Sequence, residues 1–191
     1  MALLVESGAG VAGADSYLAS AEADLHHAAL GWEGWAAASV QAREAALRRA
    51  TRAVDGLYAG RWKGAKAVPW TVNVLAWPRH GVVDEAGAAM VAADAIPAGL
   101  KAAVAEGARI ELEQPGALAE AARRLRRFQL GPLAVEMADG GEGAGVPPAV
   151  ALPLAPLLRP ADPAPRLAAP DPNPDPGRPA FRIGMHDGGP A

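Results

Sequence analysis

Cysteine is absent from this chain. Disulfides and thiolate metal sites are therefore excluded, and the composition suits a reducing interior. Long apolar runs are missing too, since none reaches the roughly 20 residues that a bilayer-spanning helix takes. The opening "MALLVES" lacks the positive n-region and long apolar stretch of a signal peptide. The expectation is a soluble product made in a cytoplasm, with no membrane partner. Large side chains are scarce: aromatic residues make up 5%, with five tryptophans against two tyrosines and two phenylalanines. Hydrophobic residues make up 51%, and alanine supplies much of that share. Such a core favours helices that approach closely. An excess of positive charge is also lacking. With a formal net charge of −3, bulk electrostatics exclude a polyanion binder, and any nucleic-acid role must be local.

Recognisable catalytic machinery is equally scarce. No serine or threonine sits in a nucleophile elbow, and there is no Walker lysine. His26 and His27 are adjacent, so on a helix they point to different sides, whereas chelating pairs need a spacing of three or four. His80 and His186 fall in loops without an acidic cluster. Gly8, Gly10 and Gly13 in "GAGVAG" match G-x-G-x-x-G after an apolar run. However, no second buried strand follows, no acidic residue stands at the ribose position, and Asp15 would repel a pyrophosphate. The turn reads as a plain turn. The expectation is a protein with no catalytic residues, cofactor or metal.

What is present is mostly helix. "ALLVES" suits a brief strand. A helix is expected from Asp15 or Ser16 to Gly31, with Tyr17, Leu18, Ala21, Leu25 and Ala28 as its apolar stripe. "GWEGWAAAS" reads as a loop. The clearest helix follows, capped by Ser39, with Val40, Leu47, Ala50, Val54 and Leu57 on one face. Another starts at Pro97, with Ile96, Leu100, Val104 and Leu112 toward the core, and stops at Pro115-Gly116. A helical turn suits "ALAEAARR". The alternation in Phe128, Leu130, Leu133, Val135 and Met137 around Gly131-Pro132 predicts a β-hairpin. "VPPAVALPLAPLL" suits a short helix. From Arg159 the composition turns to Pro, Asp, Ala and Gly, which predicts an extended arm ordered only by a neighbouring subunit or partner.

One stretch concentrates unusual residues. "RWKGAKAVPWTVNVLAWPR" holds Trp62, Trp70 and Trp77 among Arg61, Lys63, Lys66 and Arg79. Single-strand binders join aromatic platforms to a basic groove. The competing reading is that each indole buries about 150–250 Å² in its own domain or against another protein. In a core this short of large residues, burial is expected for at least two of the three. A second basic cluster, Arg123, Arg124, Arg126 and Arg127, stands at the entry to the expected hairpin.

In order, "SYLASAEADLHHAALGWEGW", "EAALRRATRAVDGLYAGRWKG", "LAWPRHGV", "AIPAGLKAAVAEGA", "GPLAVEMADG" and "PLAPLL" resemble a family of tailed-phage head–tail connector (adaptor) proteins. That family often carries the label DnaT-like single-stranded-DNA-binding protein. The resemblance covers residues 1 to 158. Its most specific pieces are Tyr58 with "GRWKG", "LAWPR" at Leu75 to Arg79, and the Ile96-Pro97 helix start. The "GAGVAG" turn departs from the commoner, glycine-poorer version. The resemblance implies a mainly α fold: a compact helical bundle over 1–158 with a small β-hairpin, followed by an extended Pro-rich arm over 159–191. It implies a virion structural protein at the neck, forming a dodecameric ring. That ring would bind the portal protein and a tail or stopper component, with double-stranded DNA passing through the lumen unread. The alternative is a single-stranded-DNA-binding protein.

Overall fold

The computed structural model describes residues 2–121 and 145–160. The expected hairpin at 128–137, the basic cluster Arg123, Arg124, Arg126 and Arg127, and the arm beyond Pro160 lie outside the described residues. The fold is mainly helical with one small antiparallel sheet. Helix α1 spans Ser20–Ala29, α2 Glu33–Ala37, α3 Val40–Leu57 and α4 Ala98–Glu113. Strands β1 (Ala65–Lys66) and β2 (Arg79–His80) pair antiparallel. Residues 117–121 are helical. A helical turn, Pro148–Ala151, runs into a 3-10 segment, Leu152–Leu157, in keeping with the prolines there. No described helix is long and apolar enough to cross a membrane.

The core is the seam between α3 and α4, closed by small residues. Ala46, Ala50, Ala103 and Ala108 are fully buried beside Leu47, Val54, Leu100 and Val104. Gly107 sits at the crossing, where a Cβ would lie 3.3 Å from that of Ala50 and 3.0 Å from the Leu118 side chain. The seam therefore tolerates nothing larger without repacking. Ser39 caps α3 as expected, its hydroxyl accepting the Ala42 N–H at 3.2 Å. Val40 does not join the buried face. It stands on the first turn of α3 and is exposed. In α4, Leu100 and Val104 are buried, while Leu112 and Ile96, just ahead of the helix, pack partly against the core. Glu111 is buried at the far end of α4, where it accepts N–H groups from Gly116 and Leu118 and pairs with Arg49 at 3.0 Å.

The N-terminal elements differ from expectation. Ser16 does not start a helix. Its hydroxyl is spent on Leu18, and its backbone forms a parallel bridge with Val5. Helix α1 therefore begins at Ser20, with Glu22 reaching back to the Ala19 N–H at 3.0 Å. The late start shifts the phase, so Ala23 and His27 face inward and Leu25 outward. "GWEGWAAAS" is not a loop throughout, because α2 forms there. It buries Trp35, whose Nε1–H donates to Asp24 at 2.8 Å. The described hairpin is β1–β2, inside the tryptophan stretch.

Candidate functional site

The stretch from Arg61 to Arg79 is anchored at both ends. Arg61 and Lys63 pair with the 157–159 backbone, the Lys63 N–H donating to Leu157 at 2.9 Å and the Arg159 N–H to Arg61 at 2.7 Å. Trp62 and Trp77 are buried edge to face, 5.9 Å between centroids, and Tyr58 meets Trp62 edge-on at 5.7 Å. Two of the three tryptophans are thus interior, as their mass in a small-residue core demands. Arg79 is also turned inward. Its guanidinium donates to the carbonyls of Lys63 (2.8 Å), Gly64 (2.8 Å) and Ala76 (3.2 Å). All three of its guanidinium nitrogens donate to the protein's own backbone. Gly64, at φ +66°, makes the close turn possible, since a Cβ there would lie 2.3 Å from the His80 carbonyl oxygen.

Trp70 has the opposite environment. It is 60% exposed, and the Lys66 ammonium lies 4.2 Å from its ring centroid. Lys66 also donates to the Leu75 carbonyl. Burial, ahead of any charge effect, lowers its pKa. These two residues flank a cleft of about 520 Å³ lined also by Asp55, Trp62, Val74, Arg79 and Arg159. Of the seven residues singled out in the sequence, Trp62, Trp77 and Arg79 hold the loop together. Arg61, Lys63, Lys66 and Trp70 keep at least part of their surface in solvent.

Sequence reading missed Asp55. It projects from α3 to the floor of the cleft, accepting the Tyr17 hydroxyl at 2.8 Å and the Ala76 N–H at 2.9 Å. The Trp77 N–H in turn donates to the Tyr17 oxygen at 3.1 Å. Burial raises the Asp55 pKa to about 6, against the opposing pull of these hydrogen bonds. The folded state therefore holds this proton more tightly than the unfolded chain does. The protonated carboxyl favours folding, and that contribution is lost as pH rises from about 4 through about 6. Asp55→Asn should remove this slope. Denaturant midpoints at pH 5 and pH 7.5 should differ less in the variant than in the parent, and an identical pH response in the two proteins would refute the assignment.

The glycine turn is spoken for by the protein itself. Glu6 is fully buried, and its Oε1 accepts the N–H groups of Gly8 (2.7 Å) and Gly10 (2.9 Å). Its Oε2 accepts the Val11 N–H at 2.7 Å and the Asn73 side-chain amide. Amides that would cradle a pyrophosphate in a dinucleotide loop point at this internal carboxylate instead. The one signal for it in the sequence is an acidic residue placed two positions ahead of the first glycine.

No curated protein and no solved structure matches the chain. One family does: its model, which carries the description "Putative DnaT-like ssDNA binding protein", matches residues 1–167. With the match running through the helices, the tryptophan loop and the glycine turn, this chain belongs to the DnaT-like ssDNA binding protein family.

Proposed function

We propose that the protein is a non-catalytic assembly subunit: a head–tail adaptor that closes into a ring between portal and tail, with double-stranded DNA passing through unread. The sequence resemblance over residues 1–158 supports it. The structural observation behind it is the chemistry of the exposed loop. Between Pro69 and Met90 the chain turns Trp70, Val72, Val74, Val83 and Met90 outward while Leu75, Ala76, Trp77 and Val82 anchor it. Outward valines offer nothing to a base or a phosphate but suit a protein neighbour. Subunits in a closed ring each need two complementary surfaces, and an anchored apolar loop can serve as one of them.

The test is negative-stain microscopy of purified protein with and without portal, comparing the parent with Val72→Asp/Val74→Asp. Rings are expected from the parent alone. The double variant should remain monomeric with an unchanged melting temperature, because neither side chain is in the core. Equal assembly by both proteins would defeat the reading.

Single-stranded DNA binding is the second reading. The family description favours it, as does the exposed Trp70 with Lys66 on its face. Stacking on an exposed indole such as Trp70 contributes about 1–3 kcal/mol, so a lone subunit would hold an oligonucleotide weakly and only at low salt. Oligothymidylate should then quench tryptophan fluorescence in the parent and not in Trp70→Ala. Quenching that falls steeply with added salt and vanishes in Trp70→Ala would favour this reading over the adaptor.

A further inference from the structure

Away from the loop, α1 and α4 meet at His26, His27 and Glu106. We infer that these three side chains form a binding site for a divalent transition-metal ion of the zinc class, clamping α1 to α4. Helix α4 supplies the acidic group that the sequence alone did not bring near the histidines. His26 Nε2 already lies 2.8 Å from Glu106 Oε1, and the ligand atoms of all three residues lie within 4.8 Å of one another. A tetrahedral ion with bonds of about 2.0–2.1 Å needs ligand atoms roughly 3.3 Å apart, so a small rotation of one ring closes the set.

His27 is the second, independent pointer. It is fully buried, and neither ring nitrogen makes a hydrogen bond within ordinary limits. A buried imidazole left in that condition is costly, and coordination by one nitrogen would relieve it. Trp35 packs 4.3 Å from the ring and fixes its plane.

Arg109, the cation beside the site, is shared with Glu113 at 3.0 Å. Arg109 stands 3.6 Å from Glu106 Oε2, leaving Oε1 on the histidine side. His26 keeps 29% of its side chain in solvent, which gives an ion a way in and leaves room for water as the fourth ligand.

The test uses the full chain freed of metal with a chelator and then titrated with zinc chloride or cobalt chloride. At a hundredfold excess over the dissociation constant, the melting temperature of the parent should rise by roughly 5–10 °C. Cobalt should develop visible absorption bands of a nitrogen- and oxygen-ligated site. His26→Ala and Glu106→Gln should each weaken binding at least tenfold and lose the bands. His26→Gln serves as the control if either variant folds poorly. A parent melting temperature indifferent to both ions would overturn the site, and so would shifts of equal size in the parent and all variants.

Discussion

Trp77→Ala is expected to destabilise the protein by about 3–5 kcal/mol, a large share of the total for a chain of this size. Trp77 is the largest fully buried side chain among the described residues. Its ring supports Trp62, which supports Tyr58 at the end of α3, so the cavity left behind cannot collapse without moving the helix. Its backbone N–H also meets the Tyr17 hydroxyl, which ties the loop to Asp55. Urea unfolding followed by circular dichroism would measure the loss. Trp70→Ala, in the same loop but exposed, should stay within about 0.5 kcal/mol of the parent. Equal losses for the two would mean that the loop is not organised around Trp77.

Glu6→Ala should cost on the order of 4 kcal/mol or more, because it strands three backbone N–H groups and the Asn73 amide at a buried position. The more telling substitution is Glu6→Gln, which keeps the shape. One oxygen can still serve two donors. The amide nitrogen, however, would place hydrogens against those of Val11 or Asn73. A loss of about 2 kcal/mol is expected even from this near-isostere, read as a shifted denaturant midpoint at constant slope. A Gln variant as stable as the parent would show that the turn does not depend on a four-acceptor carboxylate.

Legibility followed the length of each periodic segment. Helices α3 and α4 run 18 and 16 residues, long enough for the spacing of Leu47, Ala50 and Val54, or of Leu100 and Val104, to rise above local noise. The β1–β2 ladder has two residues on each strand, too few for any alternation to register, so the hairpin could not be found at 65–80. Helix α1 was mis-phased because Ser16 looks like a cap in sequence but spends its hydroxyl on a turn. That single offset concealed the inward direction of His27. Burial of two of the three tryptophans followed from the shortage of other large residues. Which two, and the inward turn of Arg79, depended on carbonyls brought together from residues 63, 64 and 76. Asp55 gave no signal, since a lone acidic residue on a charged helix looks like any other surface position.

The Arg79 fork grips main-chain oxygens from both sides of the excursion that carries Trp70. Such a ledge is stiff before anything settles on it, so a visitor gives up little of its grip to ordering the surface beneath, and a small footprint can suffice for firm seating. A pull applied at the outer rim would run through the fork and the Trp77 ring into the helices.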